Sequence, residues 1–460
     1  MVEHIPMMYK MAIPEPIWDQ MLEWLSTDIE TAGVLRARVG MGRNTTQILV
    51  RDLTPVPTSS YVERAADHLS IASSGYVPAL AQAEADGAAA VFVHTHPSGS
   101  AHYSSLDDIV DRQLCTLFQT RTRQPVFVSL ILAGTPELPS YTARVYVGRA
   151  KPKVLDCVRV VGRHLRVLTS TTPTRTPERR FDRQVRAFGT DGQALLAQLH
   201  VGVIGAGATG SAVFEQLIRL GVGRVTIVDD DTVEDTNVTR VHEVTSRDIG
   251  KSKVEVLAHR ARAIGTGSQV SPLSMRIRDE DTVRPLVDCD MIFGCTDDVF
   301  GRAILSRFAY WYLTPVFDMG FVIDSQAGQV RGLYGRVTML GPGCPCLLCR
   351  GRISPAAIYQ EGLDPTERQA RVAQGYAPEL AEPAPAVVPY TTLIASLAVA
   401  EALDRLFYLS VDPPSEVLVR LTDRVMNRTM VEPQRGHFCI DSSFWGLGDQ
   451  APTLGQTWPG

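Results

Sequence analysis

The 460-residue sequence has no run of about 20 uninterrupted apolar residues, the length a helix needs to cross a bilayer. Its most apolar late stretch, 387–403, is broken by Pro389, Tyr390, Thr391, Thr392, Ser396 and Glu401, which predicts a buried helix. No secretory pattern opens the chain, because Glu3, His4, Pro6 and Lys10 precede any apolar run. An excess of either charge is also missing. With 45 Lys and Arg against 50 Asp and Glu, the net charge of -5 gives no global attraction to nucleic acid or anionic lipid. Cysteine is sparse, eight in all: Cys344, Cys346 and Cys349 cluster, while Cys115, Cys157, Cys289, Cys295 and Cys439 are scattered. That spacing argues for a metal site in a reducing cytosol over a disulfide framework. The expectation is a soluble cytoplasmic protein with neither a nucleic-acid nor a membrane partner.

What is present is ordinary globular composition, 45% apolar and 21% charged, at a length suggesting two to four domains. The pattern breaks at 168–180, LTSTTPTRTPERR, which reads as a linker, placed at 166–179 between units 1–165 and 180–460. Before it, β-rich runs at 33–39, 47–53, 88–94, 125–133 and 142–147 alternate with helical patterns at 77–86 and 105–118, which predicts an α/β unit. After it, a strand at 201–204, a glycine-rich turn at 205–210, a helix at 211–220 and a strand at 225–229 open a doubly wound, Rossmann-like, mainly parallel sheet.

In the first unit an apolar strand ends in His94-Thr95-His96, followed by Ser104 and Asp107. Strand residues two apart share a face, so the two imidazoles can converge on one cation, and Asp107 at a helix start can add an oxygen. Two nitrogens and a carboxylate leave the fourth position of tetrahedral zinc open for water, a catalytic arrangement. Glu30, in ETAGVL, is the candidate base, and Ser104, on the helical face of Asp107, can donate to an oxyanion. These residues match the pattern Glu, then HxHx7SxxD, and resemble the JAMM (MPN+, JAB1-type) metalloprotease family over about residues 10–150. The resemblance implies a cytidine-deaminase-like α/β fold and hydrolysis of a peptide or isopeptide bond after the C-terminus of ubiquitin or a ubiquitin-like protein.

In the second unit the turn Gly205-Ala206-Gly207-Ala208-Thr209-Gly210 follows a strand and opens a helix, so its amides can hold phosphate oxygens. Asp229, at the next strand end, suits ribose hydroxyls, and NAD would fit thus far. Asn237, Arg240 and Lys253 add more polar and cationic groups than ribose recognition requires, and a triphosphate would use them. Asp297, beyond the strand 291–294, could hold magnesium, and Arg183 beside Gln184 adds another phosphate-binding cation. The ordered set RFDRQ, the glycine loop, GVGRVTIVDDDTVEDTNVTR, GKSK and CTDD resembles the E1-like ThiF/MoeB/HesA adenylyltransferase family over about 178–445. The resemblance implies Asp229 on the ribose, Asn237, Arg240 and Lys253 on phosphates, Asp297 on magnesium, and Arg183 reaching the γ-phosphate from a partner subunit of a homodimer. The activity implied is adenylation of the C-terminal carboxylate of a ubiquitin-like or sulfur-carrier protein. Ala208, Val241 and Asp298 depart from the family's usual glycine, glutamine and asparagine.

Cys346 and Cys349 form half of a tetrahedral structural zinc site, which Cys439 with His437, Cys344 or, less well, Asp441 would complete. No cysteine lies between Gly351 and Phe438, where thioester-forming relatives place their nucleophile. Direct transfer to an amine or to a partner's thiol, including an E2-like acceptor, is therefore expected first and an ester on Ser354 or Thr366 second, with 364–389 as a crossover loop. The combined expectation is a bifunctional peptidase and adenylyltransferase of a bacterial ubiquitin-like pathway, using Zn2+, ATP and Mg2+. The alternative is processing and activation of a sulfur carrier for biosynthesis.

Overall fold

The computed structural model describes residues 7–97, 99–170, 178–278, 280–363, 366, 385–429 and 431–451. The first half contains β1 (Met8–Pro14), α1 (Glu15–Trp24), β2 (Ala32–Met41), β3 (Thr45–Pro55), β4 (Tyr61–Arg64), β5 (Leu69–Ile71), α2 (Val77–Ala85), β6 (Ala89–His96), α3 (Ser105–Thr122), β7 (Val126–Gly134), β8 (Pro139–Val147), β9 (Lys153–Val154), β10 (Cys157–Val161) and β11 (Leu165–Thr169). Apart from the small β4–β5 ribbon, its strands form one sheet in the order β11-β10-β1-β3-β2-β6-β7-β8-β9.

The second half runs α4 (Asp182–Gln198), β12 (His200–Ile204), α5 (Ala208–Leu220), β13 (Arg224–Val228), α6 (Lys253–Ile264), β14 (Gln269–Leu273), α7 (Glu280–Val287), β15 (Met291–Gly294), α8 (Val299–Trp311), β16 (Val316–Gln326), β17 (Gln329–Leu340), α9 (Pro355–Gly362), α10 (Val388–Phe407), β18 (Glu416–Arg420) and β19 (Val425–Arg428). Its sheet, β14-β13-β12-β15-β16-β17-β18-β19, is parallel from β14 to β16 and antiparallel beyond. This is the Rossmann-like half expected. The apolar stretch at 387–403 is a buried helix, α10, packed on α5 and β16. No helix among the described residues is long and apolar enough to cross a membrane.

One face of the first sheet buries Met11, Ile48, Val91 and Val128 with Trp18 and Met21 of α1. On the other face the strands divide their load. Ala32, Val34, Ala90 and Phe92 pack on α2 and α3, whereas Ala12 and Leu49 enter the core of the second half with Phe308, Tyr312 and Leu340. Gly40 makes room for Tyr312, whose ring would lie 3.0 Å from a Cβ there. Of the stretch read as a linker, Leu168 and Thr169 extend β11, paired with β10, and Arg179–Phe181 form a turn of 3-10 helix; residues 171–177 lie outside those described. Most of the stretch read as a crossover loop also lies outside them.

Candidate functional sites

The first site forms at the carboxyl end of β6. Period-two geometry puts His94 and His96 on the face that α3 covers, and antiparallel pairing sets Ala32 opposite His94, so Glu30, just before β2, arrives beside both. The two Nε2 atoms are 3.1 Å apart, and His94 Nε2 lies 3.3 Å from Asp107 Oδ1. His96 Nε2 is 3.7 Å from Glu30 Oε1 and 3.9 Å from Asp107 Oδ2. A tetrahedral zinc with bonds of 2.0–2.1 Å sets its ligand atoms about 3.3 Å apart, so this donor set fits the ion. Burial pushes the Glu30 carboxyl up to about 7 and lowers His96. For Asp107 burial acts upward, but His94 and two hydrogen bonds from Ser104 carry it well below the usual carboxylate range.

Ser104 differs from its expected role. Its Oγ donates to Asp107 Oδ2 at 2.7 Å and accepts from Asp107 N at 3.1 Å, while its own N–H donates to the same carboxylate. That is a capping box, so in the free protein this hydroxyl proton serves the helix start and the orientation of Asp107.

The second site lies at the carboxyl ends of β12, β13 and β15. Gly205 N donates to Val228 O at 2.8 Å and Cys295 N to Ile204 O at 2.7 Å, which ties the three strand ends around the glycine turn. Gly207 N-caps α5 without a side-chain cap, leaving first-turn N–H groups for an anion. A Cβ on Gly207 would meet nothing within 4 Å, whereas one on Gly210 would lie 1.8 Å from Gly205 O. The turn thus keeps open space on its outer side and none on its inner side, which fits a phosphate chain. Ala208, the departure from the family's glycine, begins the helix and is absent from the positive-φ positions.

Asp229 accepts from Ala206 N at 2.6 Å and Asp231 N at 2.9 Å, so its carboxylate is fixed against the turn, and burial raises it. Lys253 is buried with its ammonium on Asp231 at 2.7 Å. Asn237 is buried and accepts from Glu234 N at 3.0 Å. Arg240 is half-buried and forms no ion pair with a described residue, and Asp297 stands exposed three residues past Gly294. Asp298 instead caps α8 through Gly301 N at 3.0 Å.

Arg183 is placed elsewhere. Its neighbour Gln184 donates to Arg219 O at 3.0 Å, at the far end of α5 from the glycine turn. Thirteen helical residues span roughly 20 Å, so Arg183 cannot reach the turn of its own chain, and Gln184 serves packing. Sequence reasoning missed Asp231, and also Asp318, buried between Arg302 and Arg336 in strand pairing with Gly294. The signal for Asp318 was an acid inside the apolar run VFDMGF.

A third cluster joins Cys346, Cys349, His437 and Cys439. Cys346 Sγ is 3.5 Å from His437 Nδ1, which is 3.4 Å from Cys439 Sγ, and Cys349 and Cys439 are 3.8 Å apart. Zinc bonds of 2.3 Å to sulfur and 2.0 Å to nitrogen imply edges of about 3.8 and 3.5 Å, so three thiols and an imidazole fit zinc. The hydrogen bond with Cys439 takes the Cys346 thiol down to about 6. Cys344 and Asp441 are excluded as the fourth ligand: Cys344 packs on Met339 Sδ at 3.5 Å, and Asp441 accepts from Ser443 N at 2.9 Å. Ser354 caps α9, accepting from Ala357 N at 3.2 Å.

A Rossmann half with a glycine turn, a fixed acid at the second strand end and a buried lysine defines a nucleotide-binding protein, and comparison with known proteins narrows it. The sequence model of the ThiF family matches residues 181–437. The chain belongs to the ThiF family. It is 27% identical over 178 residues to the molybdopterin-synthase adenylyltransferase of Escherichia coli K12, 38% of this chain and 68% of that protein. It is 32% identical over 175 residues to the sulfur carrier protein ThiS adenylyltransferase of Bacillus subtilis, 37% and 49% of the two chains. Against the SAMP-activating enzyme E1 of Haloferax volcanii identity is 27% over 161 residues, 35% and 56%. Among solved structures, Escherichia coli MccB with ATP aligns at a TM-score of 0.45 and 18% identity, covering 58% of this chain and 76% of that one.

Proposed function

We propose that the second half, 180–460, adenylates the C-terminal carboxylate of a small sulfur-carrier or ubiquitin-like protein. The carrying observation is the glycine turn, open outside and closed inside, held between Asp229 on one flank and the Cys295–Asp297 segment on the other. The names of the relatives support the substrate class, sulfur carriers most directly. In this reading the carboxylate oxygen bonds to the α-phosphorus of ATP, the bond to the bridging oxygen breaks, and pyrophosphate leaves. The α5 N–H groups, Arg240 and Lys253 take the phosphate charge, and Asp229 holds the ribose. Mg2+ at Asp297 would supply further neutralisation of the leaving pyrophosphate. Arg183 comes from a second copy in a homodimer. With no cysteine between Gly351 and Phe438, the acyl group passes to a partner, such as a sulfur donor or an E2-like acceptor, ahead of an ester on Ser354 or Thr366. Pyrophosphate exchange into ATP, driven by a carrier protein, tests this: Asp297→Ala and Lys253→Ala should each lower exchange at least 100-fold, and exchange kept by both variants would sink it.

A second activity has its own support, the convergence of Glu30, His94, His96 and Asp107 in residues 1–165. In this reading that unit is a metallopeptidase cleaving a peptide or isopeptide bond after the carrier's C-terminus. A zinc ion there would supply a Lewis acid. Glu30, buried beside His96, holds and returns the proton, and Asp107 is kept anionic by Ser104. Intact mass spectrometry of a carrier with an extended tail should show trimming by wild type and none by Glu30→Gln.

A further inference from the structure

Two arginines on the first sheet have buried donors with no acceptor among the described residues. Arg38 on β2 and Arg51 on β3 sit on adjoining strands, where a bulge after Arg36 makes Arg51 the extra residue of its strand. Arg36 beside them is neutralised by Asp52 and Asp86. Among the described residues Arg38 makes one hydrogen bond, Nη2 to Asp86 O at 2.9 Å, and Arg51 one, Nη2 to Ser443 O at 2.5 Å. Among the described residues Arg38 Nε, Arg38 Nη1 and Arg51 Nε are buried without a partner, and neither side chain pairs with a carboxylate. The C-terminal segment closes over Arg51: a Cβ on Gly446 would stand 3.3 Å from Arg51 Cγ. Three guanidinium groups against two carboxylates leave a net positive charge in a half-buried place, where an unsatisfied N–H and an unpaired charge are each costly.

We infer that Arg38 and Arg51 form a site for a phosphate-type oxyanion, held between the first sheet and residues 443–446. A tetrahedral oxyanion offers acceptor oxygens in several directions, as two guanidinium groups on neighbouring strands require, whereas a lone carboxylate offers two in one plane. Such an anion would neutralise the pair and fasten the C-terminal segment to the first half. The site is separate from the glycine turn and from the His94–His96 pair, and it does not depend on either proposed activity.

Thermal unfolding of the full chain in sodium phosphate, with sodium chloride and sodium acetate at equal ionic strength, tests it. Wild type should show a saturable rise in Tm in phosphate alone. Arg38→Gln and Arg51→Gln should each weaken the apparent Kd at least tenfold, and the double variant should show a clearly smaller rise than wild type. Without phosphate the double variant should melt no lower than wild type, because it has shed two unpaired charges. Phosphate bound at the glycine turn would be common to wild type and the double variant, so the site is read as the wild-type rise in excess of the double variant's. The inference is overturned by an equal shift in chloride or acetate, by a rise in the double variant equal to that of wild type, or by a double variant that melts several degrees lower without phosphate.

Discussion

Glu30 is the residue on which the hydrolytic reading turns, because it is buried, 3.7 Å from His96, and carries a carboxyl raised to about 7. Replacing it with Gln keeps the shape and removes the proton acceptor, so cleavage should fall roughly 100- to 10,000-fold, while zinc measured by atomic absorption stays at the wild-type ratio. His94→Ala should lose the metal as well. At the thiol cluster the outcome is structural. Cys349→Ser should lower zinc content and Tm together, since a closed four-ligand site contributes directly to folding, and intact zinc content in that variant would refute the assignment. These donors were legible before any fold was known because each set is short in sequence or follows a pattern with a chemical reason. His437 remained one of three alternatives because only tertiary packing turns Cys344 toward Met339 and Asp441 toward Ser443.

At the level of elements, the glycine turn and the helix it opens make separable predictions. Gly210→Ala would drive a methyl to within 1.8 Å of Gly205 O, so it should damage both ATP affinity and Tm. Gly207→Ala meets no atom within 4 Å, and its φ of -75° suits any residue, so Tm should hold while the methyl occupies phosphate space and ATP affinity falls about tenfold or more. Isothermal titration with ATP and a melting curve on both variants would separate the two effects, and equal loss of Tm would contradict the open-space reading. The elements read from the sequence, β2, β3, β6, β7, β8, α2, α3, α5, β12, β13, β15 and α10, fall where the pattern puts them, within a few residues at their ends. Strands β1 and β10 were not legible, although both lie inside the first sheet. Lys10 and Arg159 interrupt their apolar alternation, and the partners of those charges, Cys289 and Asp290, lie more than 100 residues away. A pattern window sees the charge and misses the partner.

The molecule as a whole is held by that same seam. Lys10 Nζ contacts Asp290 Oδ1 at 2.6 Å, Arg159 Nη1 donates to Cys289 O and Asp290 O, and Arg159 Nη2 donates to Gln47 Oε1, whose Nε2 in turn reaches Val287 O. Asp290 Oδ2 also accepts from His200 N at 2.9 Å, joining the amino ends of β12 and β15 to the first sheet. With Ala12 and Leu49 buried in the core of the second half, a fragment ending at residue 170 would expose apolar surface and unpaired buried charge together, and it should lack a cooperative melt. Asp290→Asn leaves Lys10 buried without its counter-ion and should cost about 3–5 kcal/mol, of which Lys10→Met in the same chain should restore a large part. The pH dependence has a definite sign. Burial, with Arg224 and Lys10, takes the His200 imidazole down to about 3, so between about pH 6.5 and 3 the unfolded chain binds a proton that the folded chain refuses, and stability falls as pH falls. Burial alone would raise Asp290, but Lys10 and Arg159 bring it below its usual value, so its contribution is complete above about pH 3.9 and is lost only below that. The folded chain also takes up a proton at Glu30 between about pH 7 and 4.5, which opposes this decline, so urea unfolding midpoints should fall from about pH 6.5 in Glu30→Gln, where that uptake is absent. With His200→Gln added to that variant the decline between pH 6 and 4 should be shallower by up to about 1.4 kcal/mol per pH unit, and an unchanged slope would place the acid sensitivity outside the seam.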